Sequence, residues 1–342
     1  MTKTAAVFPG QGSQQVGMGR DLYENFRVAR EVFEEASDAI SVNLKKLCFD
    51  GPESDLTLTE NTQPTLLTVS VAAFRVLQAE REFKPQVVAG HSLGEYSALV
   101  CAGSISLSTA VTWVRARGQA MQLAVPKGQG GMAVVLNLDD AKVGALCTQA
   151  LAIAREKRAH GEAPEMEVDL ALEPANFNAP GQVAISGSKD AVDEAIKLVS
   201  TDPQNLFKGA KVLALPVSAP FHCSLMAPAK DKMADIFAKT LPEHAPRALL
   251  IPYVPNVTAR INKEHSLVLE FLTSQVTHPV LWKQSIATLL ESGFDTFVEC
   301  GSGRVLTGLT KRIAPKAIAP AEAPRLFAVG DTEGLKALAK NI

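Results

Sequence analysis

The chain has 342 residues, of which 46% are hydrophobic and 20% are charged, and its formal net charge is −2 at pH 7. This composition is typical of a water-soluble globular protein large enough for a main domain and a smaller one. A near-zero net charge without a long basic run argues against nucleic acid or a membrane surface as the main partner. No apolar stretch approaches the roughly 20 residues of a membrane span. No signal-peptide pattern precedes the first strand, so we expect a cytoplasmic protein.

The five cysteines are scattered along the chain, and no two of them form a C-x-x-C pair. Neither a disulfide framework nor a zinc site is therefore predicted. We interpret these cysteines as small core residues and expect no metal site.

The first eighty residues predict a strand, a glycine-rich turn and two helices. Residues 5–8 form a short apolar strand that leads into Gly10-Gln11-Gly12, where the backbone can approach a bound group closely. Apolar residues at helical spacing predict helices over residues 21–40 and 66–80. The polar residues 59–64 between them predict a loop.

Gly90-His91-Ser92-Leu93-Gly94 follows an apolar run at 87–89 and precedes a helix-compatible run at 95–102. A G-x-S-x-G pattern between a strand and a helix predicts a nucleophile elbow, a sharp turn that pushes the serine out of the sheet. The Ser92 hydroxyl would then lie at a helix N-terminus, where N–H groups and the helix dipole favour developing negative charge. The same pentapeptide also occurs as a plain turn before a core helix, and here the flanking elements favour the elbow.

Ser106 is typical of the N-cap of the next helix, predicted over residues 107–125, which carries two arginines. Arg117 lies on the apolar stripe of this helix, whereas Arg115 is turned about 160° away from it. A buried guanidinium is costly unless it has a partner. From the residues alone, the partner of Arg117 is either a ligand or a core carboxylate.

The following segment alternates elements in the order βαββαβ, which is the split βαβ of a ferredoxin-like unit. Its predicted strands and helices cover residues 131–136, 139–154, 168–176, 182–186, 189–199 and 212–217. We therefore predict a ferredoxin-like subdomain, residues 128–215, inserted into an α/β core domain made of residues 1–127 and 216–342. The charged run 155–167 predicts a solvated connection.

His222 is the histidine best placed to act as a base. It follows the last strand of the insert, whereas His91, next to Ser92, should point to the opposite face. The other four histidines lie in charged or polar loop stretches. A histidine in such a turn can also be structural. Further helices and strands are predicted at 226–240, 248–254, 267–276, 296–299, 304–313 and 326–329.

Six motifs, spread over nearly the whole chain, resemble those of the malonyl-CoA:acyl carrier protein transacylases of fatty-acid synthesis. In chain order they are Phe8-Pro9-Gly10-Gln11-Gly12-Ser13-Gln14, Gly90-His91-Ser92-Leu93-Gly94-Glu95-Tyr96, Arg117-Gly118, Asn176-Phe177-Asn178-Ala179-Pro180-Gly181-Gln182, Phe221-His222-Cys223 and Val305-Leu306-Thr307-Gly308-Leu309-Thr310-Lys311. The resemblance implies a hydrolase-like α/β domain with a ferredoxin-like insertion, in agreement with the order of the predicted elements. The charged run 155–167 is longer than is usual in this family.

The resemblance also implies the catalytic residues. Ser92 would be the nucleophile and His222 its base. A backbone carbonyl, that of Gln275, would hold the histidine, and Asn256 is predicted to help orient it.

Four further residues are expected to bind the acyl group. Arg117 would bind the malonyl carboxylate, and the backbone N–H groups of Gln11 and Leu93 would form the oxyanion hole. Phe221 is predicted to wall the space beside the malonyl α-carbon, and the alternative is a core phenylalanine that faces away.

The expected reaction moves the malonyl group from malonyl-CoA to the phosphopantetheine thiol of acyl carrier protein through a malonyl-serine ester. We expect a monomer that needs no cofactor and has a modest basic patch for the acidic carrier. A stand-alone acyltransferase of a polyketide synthase would share these motifs. A serine hydrolase or thioesterase would use the same elbow, but it would need a carboxylate such as Asp169 or Glu299 to orient His222. A non-catalytic relative would have lost Ser92 or His222.

Overall fold

The structure is a computed structural model that describes residues 2–163, 166–202, 205–217, 219–241, 243–317 and 323–341. Packing divides the chain into two compact units. The first contains Met1–Gln119, Asp235–Phe271 and Gln284–Ile342, and the second contains Ala120–Ala234 and Leu272–Lys283. The predicted insert, residues 128–215, falls inside the second unit. Its boundaries stay a prediction.

The strands, in chain order, are β1 Thr4–Phe8, β2 Val87–Gly90, β3 Gly130–Leu136, β4 Leu172–Ala179, β5 Gln182–Ser188, β6 Lys211–Ala214, β7 Tyr253–Val254, β8 Thr296–Cys300 and β9 Arg325–Val329. The α-helices are α1 Arg20–Asn25, α2 Arg27–Ile40, α3 Leu44–Asp50, α4 Glu53–Leu56, α5 Thr59–Arg81, α6 Gly94–Cys101, α7 Leu107–Leu123, α8 Asp140–Ala159, α9 Lys189–Thr201, α10 Ala227–Thr240, α11 Val268–Gln275, α12 Trp282–Glu291, α13 Val305–Ala317 and α14 Thr332–Ala339. Over the described residues, none of these helices is long and apolar enough to cross a membrane.

The first unit is built on a five-stranded sheet in the order β7-β2-β1-β8-β9. Every neighbouring pair in this sheet is parallel. Strands β2 and β8 are buried along their whole length. Continuous burial is typical of a parallel sheet covered on both faces, and the predicted parallel-sheet core is confirmed.

The second unit contains a four-stranded antiparallel sheet in the order β4-β5-β3-β6. Helices α8 and α9 lie between the strands in sequence, which completes the predicted βαββαβ order. Their apolar residues share one buried core with the sheet, including Val135, Leu146, Ile185 and Val192. The ferredoxin-like subdomain is therefore confirmed.

The predicted helix over 21–40 is wrong in one respect, because the chain forms two helices there. Phe26 has an extended backbone, with φ −127° and ψ 127°, and it separates α1 from α2. The break leaves carbonyl groups at the end of α1 without helical partners. Arg30 compensates by donating from its guanidinium to the carbonyl oxygens of Tyr23 and Glu24.

The predicted loop over 59–64 is also wrong, since α5 begins at Thr59 and includes Pro64. Polar residues next to a proline favour a loop, but Thr62, Gln63 and Pro64 are all buried here. Packing therefore overrides the local preference, as tertiary context often does. The consequence for function is that Gln63 lies on a buried helix.

Further boundaries differ from the prediction, among them the strand predicted over 168–176, which is observed as β4 Leu172–Ala179. The strand over 248–254 shrinks to β7, because the Arg247 and Leu250 N–H groups bond to the carbonyls of Ser104 and Ala102 instead of to a strand. In the charged run 155–167, the first residues continue α8, where Arg158 forms an ion pair with Asp190 of α9, with 2.6 Å between Nε and Oδ2. Pro164 and Glu165 of that run lie outside the described residues.

The strand-to-helix turn at residues 90–94 leaves no room for a side chain on Gly94, and this yields a first prediction. A Cβ on Gly94 would lie 2.2 Å from the Phe8 carbonyl oxygen. This neighbour is backbone and cannot rotate away, so Gly94→Ala should destabilise the fold by about 1–3 kcal/mol or more. Chemical denaturation measures the change.

Gly308 provides the matched control. It lies in α13, and a Cβ placed there would meet no atom within 4 Å. Gly308→Ala should therefore stabilise the protein by about 0.5–1 kcal/mol through helix propensity. An unchanged denaturation midpoint for Gly94→Ala would show that the turn is not tightly packed.

Candidate active site

The predicted nucleophile elbow is present. Strand β2 ends at Gly90 and α6 begins at Gly94, so three residues make the turn. Ser92 sits at its apex with φ 51°, in the left-handed region that is unfavourable for residues other than glycine. The turn is tight because Gly90 packs on the backbone of Gly94, where a Cβ would come within 1.9 Å of the Gly94 carbonyl carbon.

Asn256 holds the elbow from one side. Its Oδ1 accepts the Ser92 N–H at 2.7 Å, and its Nδ2 donates to the Gly90 carbonyl oxygen at 2.6 Å. The Asn256 N–H donates in turn to Glu95 Oε2 at 3.0 Å. Asn256 was expected to orient His222, whereas these side-chain hydrogen bonds join it to the backbone of the serine turn.

Arg117 lies on α7 with its side chain directed at Ser92. Its Nη2 donates to Ser92 Oγ at 3.2 Å, and only 1% of the residue is exposed. Burial lowers the pKa of the guanidinium, while Tyr96 and Glu95 act in the opposite direction. A guanidinium stays protonated at neutral pH even so, so the structure places a buried positive charge beside the serine hydroxyl.

Arg115, on the same helix, is used differently. Its Nη1 donates to the carbonyl oxygen of Ile40, the last residue of α2, at 2.9 Å. A basic side chain at a helix C-terminus satisfies a carbonyl that has no partner within the helix. Arg115 therefore makes a structural contact between helices. This agrees with the helical spacing, which turns it away from the face that carries Arg117.

Gln63 is a site residue that the sequence reasoning missed. Its Oε1 accepts from Arg117 Nη1 at 2.9 Å, and the contact is buried. The carbonyl of a glutamine fixes the guanidinium without neutralising its charge. A polar residue buried in a helix could have indicated a role for Gln63. Because residues 59–64 were predicted to form a loop, Gln63 was not recognised as part of a helix.

The turn that carries Gln11 lies beside the elbow because of the sheet register. Strands β1 and β2 are parallel neighbours with Phe8 opposite Gly90, so both turns leave the sheet at the same edge. They are closely packed, since a Cβ on Gly10 would lie 2.5 Å from the His91 carbonyl oxygen. Leu93 is the N-cap of α6. The predicted oxyanion donors, the N–H groups of Gln11 and Leu93, thus belong to two adjacent turns.

His222, in the second unit, is held by the end of a helix. Its Nδ1 lies 2.9 Å from the carbonyl oxygen of Gln275, the last residue of α11. A carbonyl can only accept, so Nδ1 carries the proton and Nε2 of the neutral ring is the basic nitrogen. A helix C-terminus also favours the positive charge of the imidazolium form.

The neighbours of His222 are buried. Phe221 is 8% exposed, and its predicted place beside a malonyl α-carbon stays a prediction. Cys223 donates from Sγ to the Pro220 carbonyl oxygen, and burial raises the pKa of this thiol to about 11. The thiol is therefore protonated at neutral pH and is no competing nucleophile.

Glu299 and Asp169, the two acids considered for a hydrolase triad, have other surroundings than a triad requires. Glu299, buried on β8, accepts the N–H groups of Leu306 and Thr307 at 3.0 and 2.7 Å, and so caps the N-terminus of α13. Asp169 is exposed. The group that His222 Nδ1 contacts at 2.9 Å is the Gln275 carbonyl, as the sequence predicts for a transacylase.

The structure thus brings together Ser92, Arg117 and Asn256 in the first unit, and His222 and Gln275 in the second. Among the described residues, no group of three or more His, Cys, Asp or Glu side chains is placed to hold a metal ion.

This architecture and these residues define an acyl transferase. The acyl transferase domain family matches residues 6–316, and the chain belongs to this family. Within it, the chain belongs to the malonyl CoA-acyl carrier protein transacylases. It is 44% identical to the transacylase of Escherichia coli strain K12, over 92% of this chain and 93% of that protein. It is 40% identical to that of Bacillus subtilis strain 168, over 92% and 91%.

Similar solved structures support the same family assignment. The acyl-carrier-protein S-malonyltransferase from Burkholderia pseudomallei is 40% identical, with a TM-score of 0.86 over 99% of this chain and 100% of that one. A malonyl-transacylase in complex with a type II PKS acyl-carrier protein is 39% identical, also with a TM-score of 0.86, over 100% of both chains.

The geometry around Glu299 yields a second prediction. Glu299→Gln leaves one side-chain acceptor oxygen for two N–H groups, one of them buried, so it should destabilise the fold by about 1–3 kcal/mol. The rate per folded enzyme, measured well below the melting temperature, should stay unchanged, because the carboxylate caps a helix. Asp169→Asn is the matched control and should alter neither quantity. A folded Glu299→Gln enzyme without activity would favour the alternative in which Glu299 is a catalytic acid.

Proposed function

We propose that this protein transfers the malonyl group from malonyl-CoA to the phosphopantetheine thiol of acyl carrier protein, through an ester on Ser92. The observation that carries the proposal is the hydrogen bond from buried Arg117 to Ser92 Oγ. A buried positive charge beside the nucleophile suits an acyl group that carries a carboxylate, whereas an ordinary esterase has no need of it. The names of the relatives support the same reaction.

In the first half-reaction, Ser92 Oγ attacks the thioester carbonyl of malonyl-CoA while His222 Nε2 takes the hydroxyl proton. Because a guanidinium has only donors, Ser92 Oγ accepts the bond from Arg117, and the hydroxyl hydrogen is what the base removes. The tetrahedral oxyanion is proposed to bind the N–H groups of Gln11 and Leu93. When the intermediate collapses, the carbon–sulfur bond breaks and His222 protonates the CoA thiolate.

The second half-reaction reverses these steps with the carrier. The pantetheine thiol gives its proton to His222 and attacks the malonyl ester, and the Ser92 oxygen leaves and regains a proton. At the start of each half the Gln275 carbonyl holds the neutral ring in the tautomer with Nε2 unprotonated, ready to accept a proton. The two substrates therefore react in turn, and ping-pong kinetics are expected.

The malonyl carboxylate is proposed to bind the guanidinium of Arg117 through two parallel hydrogen bonds. Arginine presents a planar fork that matches a carboxylate, and burial strengthens the attraction. Gln63 fixes one edge of the fork through Nη1. The acyl chain of malonyl-CoA thus supplies the partner that the inward-facing arginine requires.

The acceptor we propose is the carrier protein of fatty-acid synthesis. A polyketide synthase carrier is the second candidate, because one similar structure is a malonyl-transacylase bound to a type II PKS carrier. Transfer rates to purified carriers of each kind would separate the two. The predicted monomeric state, cytoplasmic location and basic docking patch stay predictions.

A third prediction concerns the covalent intermediate. After incubation with malonyl-CoA, intact mass should show one malonyl group on the wild type and none on Ser92→Ala. His222→Ala should slow acylation by roughly 10²- to 10⁴-fold through loss of the general base. Label that persisted in Ser92→Ala, or an unchanged single-turnover rate in His222→Ala, would contradict the mechanism.

A fourth prediction concerns acyl specificity. Removing one member of a buried charge pair costs about 2–5 kcal/mol. Arg117→Ala should therefore lower kcat/KM for malonyl-CoA by roughly 30- to several-thousand-fold. Acetyl-CoA has no carboxylate, so its kcat/KM should hold or rise, and the acyl preference should invert.

Arg115→Ala is the control for this experiment. It removes a charge from the same helix together with the contact to Ile40, so it can lower stability, but the ratio of malonyl to acetyl activity should not change. Equal losses for both acyl groups in Arg117→Ala would mean that Arg117 supports the fold and does not select the substrate.

A further inference from the structure

We propose that Asn256 is a positioning residue for Ser92: its side-chain amide locks the serine turn in the left-handed conformation from which the hydroxyl reacts. This inference deepens the proposed function and rests on Ser92 being the residue that carries the acyl group. It gives Asn256 a role toward the nucleophile, in addition to the role toward the histidine that was predicted from the sequence.

The side-chain amide of Asn256 makes two opposite hydrogen bonds to the serine turn. Asn256 spans His91 by bonding one backbone group on each side of it, the Gly90 carbonyl oxygen at 2.6 Å and the Ser92 N–H at 2.7 Å. One of these bonds needs a donor and the other an acceptor. A primary amide supplies both from one planar group, whereas ionised aspartate lacks the donor and alanine lacks both.

Asn256 is itself held in place by the sheet and by Glu95. Val254, the last residue of β7, pairs with Ala89 in the parallel sheet, and this register carries Asn256 to a position beside the serine turn. The Asn256 N–H then donates to Glu95 Oε2, and Glu95 lies in the first turn of α6, the helix that the serine turn begins. Asn256 and Glu95 are both at most 1% exposed. The amide is therefore anchored at its backbone as well as at its tip.

The amide of Asn256 bonds to a turn whose backbone conformation is unfavourable at Ser92. Ser92 has φ 51°, and a non-glycine residue keeps a left-handed backbone only where its surroundings determine it. The packing of Gly90 on Gly94 restricts the turn on the helix side. The amide of Asn256 fixes the peptide groups that flank His91, and hence the direction in which the Ser92 Cα–Cβ bond points.

The consequence for the reaction is geometric. A nucleophile displaced by about 1 Å from its productive position can lose roughly 10²-fold in rate. The Ser92 N–H is also committed to Asn256 Oδ1, so the oxyanion of the proposed mechanism is left to the N–H groups of Gln11 and Leu93. Asn256 acts on the substrate through Ser92.

The test is a rapid-mixing measurement of malonyl-enzyme formation by intact mass, which separates the rate of acylation from its final extent. In Asn256→Ala and Asn256→Asp, the rate constant should fall by roughly 10- to 100-fold. The extent should still reach one malonyl group per folded chain, because both variants retain Ser92. Asn256→Asp conserves the shape of the side chain, so it provides the answer if Asn256→Ala fails to fold.

Asn262 offers a matched control in the same segment. Its amide also bonds a backbone pair, accepting the Glu264 N–H at 3.2 Å and donating to the Glu264 carbonyl oxygen at 2.9 Å, but it is partly exposed. Asn262→Ala and Asn262→Asp should leave the acylation rate within about twofold of the wild type, as surface substitutions usually do.

Two outcomes would overturn the proposal. One is a wild-type acylation rate in folded Asn256→Asp. The other is a reduced extent at an unchanged rate, which a residue that only stabilises the fold would produce. Failure of the proposed function is distinguishable, because the wild type itself would then carry no malonyl group on Ser92.

Discussion

The hydrogen bond between buried Arg117 and Ser92 Oγ is the interaction from which the proposed activity follows. A guanidinium without access to water needs acceptors, and the protein supplies two neutral ones, the serine hydroxyl and the side-chain carbonyl of Gln63. The positive charge is thereby oriented but not cancelled by these two groups. A carboxylate that enters the site can replace the hydroxyl as a partner, and it brings the charge that makes the interaction stronger.

The serine turn is built so that this interaction has a fixed geometry. Parallel strands β1 and β2 end at the same edge of the sheet, which places the turns that follow them side by side. The two glycines at residues 90 and 94 allow backbone to pack on backbone below Ser92. The buried carboxylate of Glu95 accepts the Asn256 N–H, and the buried amide of Asn256 donates to the Gly90 carbonyl oxygen. These hydrogen bonds satisfy polar groups that would otherwise be costly to bury.

Much of this arrangement could be predicted from sequence because it depends on local rules. Glycines around Ser92 require a tight turn, and helical spacing separates Arg117 from Arg115. The βαββαβ order of the second unit follows from alternating periodicity, and the family resemblance added Gln275 as the carbonyl that contacts His222. These features depend on neighbours in the sequence or on motifs that can be compared directly.

The features that sequence reasoning missed depend on tertiary packing. Gln63 was assigned to a loop because Pro64 follows it, but burial keeps both residues in α5. The bonds of Asn256 to the serine turn were also missed, since the sequence does not show that the β7 register carries this residue there. Glu299 was considered only as the acid of an alternative hydrolase. The sequence does not show that its carboxylate accepts the N–H groups of Leu306 and Thr307, seven and eight positions further along the chain.

The structure of the malonylated enzyme is the measurement that tests the central claim most directly. If Arg117 selects the substrate, a crystal of the trapped ester should show the malonyl carboxylate with both oxygens about 2.7–2.9 Å from guanidinium nitrogens of Arg117. Gln63 should keep its bond to Nη1. A carboxylate directed into solvent, with the guanidinium still bonded to the Ser92 oxygen, would contradict the account.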